Sequence, residues 1–178
     1  MGETPEEFAD QGRSAYRSGD FLKAASLFLK ASESYAAADN RPLAAEMANN
    51  QSVALLQSGN AAAALAACQG TELVFAQAGD PLREGLALGN QAAALKELGR
   101  KKESLELFRR SIPRFEKAGD KDNLAVVHKT IAALEMESGD NLGAMSAMLD
   151  SMRVTEKLTW RQKIMRRLFS LVSRMLPK

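Results

Sequence analysis

One cysteine and one histidine in 178 residues leave little material for side-chain chemistry. Cys68 stands alone, so neither an intrachain disulfide nor a zinc framework is expected. No Ser, His and acid set converges on one helix end, and no phosphate-binding glycine loop follows a strand. The Gly-Asp pairs lack the alternating oxygen ligands of a calcium loop. An enzyme is therefore not expected, nor a cofactor, a metal or a nucleic-acid partner. Alternation of apolar and polar residues with a period of two is missing over any useful length, which excludes a sheet. The first apolar residue after Met1 is Phe8, among acids, so no secretory leader is expected. Glu6 stands where myristoylation needs Ser or Thr. The expected compartment is reducing and cytoplasmic.

What the chain has is a repeat. Gly19, Gly59, Gly99 and Gly139 are spaced by 40 residues. Glycine costs least where a helix ends in a left-handed turn, so one backbone position recurs four times. Five places on from each stand Ala24, Ala64, Ser104 and Ala144; nine places on stand Phe28, Cys68, Phe108 and Met148. A small residue and a large one four apart share a helix face. The first lets a neighbouring helix approach and the second fills the space beyond it. A second set of turns falls midway, at Ala38-Asp39-Asn40, Ala78-Gly79-Asp80 and Ala118-Gly119-Asp120. Each repeat thus reads helix, turn, helix, turn.

This pattern resembles the tetratricopeptide repeat, and Gly12, Gly19, Phe21, Ala24, Phe28 and Ala31 carry it best. The common form has about 34 residues. The 40-residue spacing is similar to the longer variant of kinesin light chain-like scaffolds. The resemblance implies an all-α, right-handed superhelical solenoid of four repeats, at about residues 4–38, 41–78, 81–118 and 121–158. Together they form a domain over residues 1–158. The second copy is the weakest, because Ala61, Ala64 and Cys68 shrink its packing residues. His128 falls where the family places a large packing residue, and Cys68 at the large position of its helix. Both are expected to pack rather than react.

In that family the first helix of each pair lines a concave binding surface. Nine places before each closing glycine stand Asp10, Asn50, Asn90 and Thr130. Asparagine is a poor residue inside a helix, because its amide competes for backbone hydrogen bonds. At Asn50 and Asn90 it could grip the backbone of an extended peptide; bonding between adjacent repeats is the alternative. Arg13, Arg17, Asn49, Lys96 and Lys129 join them as groove candidates, with Glu46, Glu97 and Glu137 interspersed. Some members of the family clamp a C-terminal carboxylate with Lys, Asn and Arg. Arg13 stands where that clamp has Asn, and Glu6 and Glu46 replace basic positions, so that specificity is not carried over.

Local signals place the helix ends. Thr4-Pro5-Glu6-Glu7 combines a capping box with a proline at the first helical position. Pro42 and Pro81 sit near helix starts, with Asp80 a natural cap. Pro113 lies inside the second helix of the third repeat, which is expected to kink or end near Ile112.

Residues 159–178 differ in charge. They carry Arg161, Lys163, Arg166, Arg167, Arg174 and Lys178 and no acid, which leaves residues 1–158 with 18 basic and 22 acidic side chains, a net of −4. At about 100° per residue, Trp160, Ile164, Met165, Leu168, Phe169, Leu171, Val172, Met175 and Leu176 fill roughly half the helical wheel. Three roles fit such a helix. It could cap the last repeat against Met145, Met148 and Leu149, lie on a membrane surface, or enter a partner's groove. The cap is the favoured expectation; in the other two roles Trp160, Arg166, Arg167 and Phe169 make the contact. The function expected is a non-catalytic scaffold that binds a peptide or partner protein. The alternatives are a peripheral membrane adaptor and a peptide-sensing regulator.

Overall fold

Every twentieth residue from Asp20 to Asp140 closes one turn and opens the next helix. The N–H of Asp20, Asn40, Asn60, Asp80, Arg100, Asp120 and Asp140 donates to the carbonyl five residues back, at 2.9–3.0 Å. The residue before each lies in the left-handed region, with φ from 55° at Asp39 to 83° at Gly139. That geometry satisfies carbonyls which a helix end leaves without partners. Asp39 is the one position in this set where a side chain bears the strain, and Asp tolerates it better than most residues. The side chains of Asp20, Asn40, Asn60, Asp80, Asp120 and Asp140 then cap the following helix by accepting from an N–H three residues on.

The computed structural model describes residues 3–155 and 158–175, with side chains to residue 171. Expectations for the side chains of Val172, Arg174, Met175, Leu176 and Lys178 lie outside the described residues. The helices are α1 (Pro5–Arg17), α2 (Phe21–Ala37), α3 (Arg41–Gln57), α4 (Ala61–Cys68), α5 (Thr71–Gln77), α6 (Pro81–Glu97), α7 (Lys101–Ala118), α8 (Lys121–Glu137), α9 (Asn141–Val154) and α10 (Trp160–Met175). The described residues contain no strand, so the chain is all-α. Two compact units divide within α7, residues 1–107 and 108–178.

In residues 1–107, α2 packs on α1 and α3, while α3 and α6 enclose α4 and α5. Ala9, Ala15, Ala24, Phe28, Ala31, Tyr35 and Met47 form the core of the first three helices. Gly12 is required here: a Cβ would sit 2.9 Å from the Phe28 ring. Tyr35 buries its ring and donates its hydroxyl to Glu6 Oε1 at 3.1 Å. In residues 108–178, α9 packs on α8 around Leu124, Val127, Ile131, Leu134, Leu149 and Met152. The small positions of the repeat, Ala24, Ala64, Ser104 and Ala144, are all buried, as are Phe28, Cys68 and Phe108. Met148 is half-buried.

Three sequence expectations need correction. The second helix of the second repeat is broken into α4 and α5, because Gly70 takes φ 83° and turns the chain between them. The helix of Pro113 neither ends nor stops short at Ile112 but continues to Ala118. Proline removes one hydrogen bond there. Phe108, Ser111 and Phe115 are buried around it, and Ser111 Oγ donates to Phe108 O at 2.7 Å, so packing holds the turn. The third concerns α10. It touches α9, but Trp160, Ile164, Met165, Leu168 and Leu171 remain exposed, so the described part of its apolar arc is not buried as in a cap. The better covered described side chains, Gln162, Phe169 and Ser170, lie at the edge of that arc or on the polar side.

Candidate functional site

Two hollows adjoin on one face of residues 1–107. The first, about 310 Å³, is lined by Arg13, Tyr16 and Arg17 of α1, Phe28 of α2, and Glu46, Asn50 and Val53 of α3. The second, about 260 Å³, is lined by the same three α3 side chains with Asn49, by Phe75, and by Arg83, Leu86 and Asn90 of α6. Glu46, Asn50 and Val53 therefore form the wall shared by both. The two hollows make a groove whose floor is partly apolar and whose charged groups are three arginines and one carboxylate.

Two of the three arginines have local partners. Arg13 pairs with Asp10 at 2.7 Å, and Arg83 reaches Asp80 at 3.2 Å and Glu46 at 2.9 Å. The Glu46–Arg83 approach is electrostatic rather than a directed bond, since Glu46 Oε2 has no aligned hydrogen-bond donor among the described residues. Half-exposed pairs of this kind contribute about 0–1 kcal/mol, so a ligand could displace them at little cost. Asn50 is half-buried between the hollows, and its carboxamide makes no hydrogen bond among the described residues.

Asn49 and Asn90 are used differently. Asn49 is 8% exposed, and its Nδ2 donates to Ala45 O at 3.2 Å. Its Oδ1 accepts from Asn90 Nδ2 at 3.3 Å, tying α3 to α6. The break after α4 lies beside this pair. Cys68 O would be an unpaired carbonyl at the end of that short helix. Thr71 Oγ1 donates to it at 2.7 Å and Gln91 Nε2 at 3.1 Å, while Gln91 also donates to Glu72 Oε2 at 2.5 Å. The single Thr71 hydroxyl proton goes to this shorter contact, and Thr71 Oγ1 lies 3.3 Å from Asn49 Oδ1. Asn49, expected in the groove, borders the second hollow but is buried, its amide bonded to Ala45 O and to Asn90.

The other sequence candidates separate. Lys96 is exposed at the end of α6 and pairs with Glu97 at 3.2 Å, away from both hollows. Lys129 belongs to residues 108–178, beside a shallow surface hollow of about 820 Å³ with Asp120, Lys121, Asp122 and Thr155. Trp160, Arg166 and Arg167 are exposed on α10, and Phe169 is half-buried. Val53, Arg83, Leu86 and Tyr16 line the groove without having been singled out from the sequence. The repeat spacing could have found two of them, since 40 residues relate Arg13 to Val53 and Glu46 to Leu86.

The reactive side chains lie elsewhere. Cys68 is fully buried, burial pushes its thiol pKa up, and its Sγ donates to Ala64 O at 3.3 Å. His128 is half-buried on α8; desolvation holds its pKa below the usual imidazole value, against the opposing pull of Asp150 and Glu116. Among the described residues no group of His, Cys, Asp and Glu is arranged to hold a metal ion. No described helix is long and apolar enough to cross a membrane. Compared with known proteins, the chain matches no protein-family model and no curated sequence.

Proposed function

We propose that residues 4–158 are four tandem repeats of the tetratricopeptide type and that the protein is a non-catalytic interaction scaffold. Its ligand is an extended peptide lying along the groove of α1, α3 and α6. The reading is supported by turns that recur every twenty residues and by the buried small positions at the 40-residue spacing. The observation that carries it is Asn50, whose free carboxamide stands between two hollows. An amide with donor and acceptor unspent can pair with a peptide backbone, which presents both groups in alternation. Arg13, Arg17 and Arg83 favour an acidic side chain in the ligand, and Val53, Leu86 and Tyr16 favour an apolar neighbour.

Binding of the full-length chain to an array of short synthetic peptides tests this. Peptides that mix acidic and apolar residues should be retained over basic ones. Asn50→Ala should weaken retention by about 5–10-fold, the effect of one or two lost hydrogen bonds. Arg13→Glu should weaken it further. Retention unaffected by either substitution, or no preference for acidic peptides, would overturn the reading.

A further inference from the structure

The apolar arc of α10 faces solvent over its described side chains, Trp160 to Leu171, and its chemistry specifies what covers it. Trp160 is 67% exposed, Leu171 58% and Leu168 53%, with Ile164 and Met165 also exposed. At about 100° per residue these five lie within one side of the helix. Lys163, Arg166 and Arg167 lie on the other side, Arg167 beside the Trp160 edge, and the sequence from 159 to 178 holds no acid. Arg161 is the exception inside the apolar arc, and it stacks over the Trp160 ring, 5.4 Å from the ring centre.

We propose that α10 is a docking helix for a membrane surface carrying anionic lipid, lying in the plane of the interface. Its 16 residues span about 24 Å, too short and too charged to cross a bilayer. Charge complementarity selects lipid over a second copy of the chain. The α10 of another copy could cover the apolar arc, but that pairing would bring together two helices that carry basic residues and no acid, while the net acidic residues 1–158 of another copy answer only the basic side. A lipid interface meets both at once: the apolar arc enters the acyl boundary while long basic side chains reach up to the headgroups. The same surface repels the acidic remainder, so only this helix would rest on it. Arg161 stacked on Trp160 suits the headgroup level, where an aromatic ring is half wet.

Trp160 is the sole tryptophan, so its fluorescence reports on α10 alone. The full-length protein is mixed with vesicles of phosphatidylcholine, or of phosphatidylcholine with phosphatidylglycerol, and followed by flotation and emission. The expected result is co-flotation and a blue shift with the anionic vesicles only. Raising salt from about 0.1 to 0.5 M should lower partitioning by about tenfold, as screening shortens the reach of the charges. Leu168→Asp and, separately, Arg166→Glu with Arg167→Glu should each lower it by on the order of tenfold or more, with the melting temperature unchanged. Equal binding to both vesicle types would overturn the proposal. So would a blue-shifted Trp160 without vesicles that disappears on dilution, which would show that a second copy covers the helix. Absence of any vesicle binding by the wild-type protein would also overturn it. The groove of α1, α3 and α6 plays no part in these measurements.

Discussion

Asn90 Nδ2 donates to Asn49 Oδ1 across 3.3 Å, joining two helices whose asparagines are 41 residues apart in the chain. Its neighbour Asn50 has no such partner among the described residues and lines both hollows. Adjacent residues of one type on one helix thus divide between structure and surface. Asn49→Ala should cost about 1–3 kcal/mol, because it removes the acceptor of the partly buried Asn90 Nδ2 and with it the tie between α3 and α6. Asn50→Ala should leave stability within about 0.5 kcal/mol, or raise it slightly through helix propensity. Chemical denaturation of the two variants checks this, and equal losses would mean that Asn50 is structural too.

Phe108 is the large packing residue of α7 and is 7% exposed. Phe108→Ala should cost about 3–5 kcal/mol, as a large-to-small change in a packed core. Thermal unfolding followed by circular dichroism measures it. A loss near zero would mean that the 40-residue register does not identify core positions.

His128 gives a pH signature. Its folded-state pKa is lowered, chiefly by desolvation, so the native state favours the neutral ring and binds fewer protons than the unfolded chain. The contribution is fully present above the unfolded value near 6.5 and is lost as pH falls through that value toward the lower folded one. The melting temperature should therefore drop on acidification below about pH 6.5. His128→Gln should flatten that part of the profile while leaving the steeper fall of the carboxylates at lower pH. An identical profile in the variant would assign the drop to other groups.

Much of the fold was legible because its turns use residues with a backbone reason to be there. Gly19, Gly59, Gly99 and Gly139 occur where φ is positive, and the small residues five places on are buried. The break at Gly70 was harder to read, since an isolated glycine amid Ala-rich helix is as consistent with a tolerated substitution as with a turn. At Pro113 the helix runs on to Ala118 instead of ending, with Phe108 and Phe115 buried on either side. For the groove, the sequence indicated Arg13, Arg17 and Asn50 but could not separate Asn49 from Asn50. Which of two neighbouring amides turns inward depends on partners such as Asn90 Nδ2 of α6, which only packing brings within reach of Asn49. On α10 the amphipathic pattern was plain, but the pattern alone could not say which side would face α9.

The central claim is that Asn50 meets a bound peptide while Asn49 does not. It is tested most directly by recording the side-chain amide resonances of both residues by NMR as a peptide retained on the array is added. The expected result is a saturable shift of the Asn50 carboxamide, with those of Asn49 and Asn90 moving little and the backbone amide of Lys129, followed in the same spectra, unaffected. A saturable shift confined to the surface around Lys129, or an Asn50 resonance that stays fixed while the peptide binds, would contradict the account.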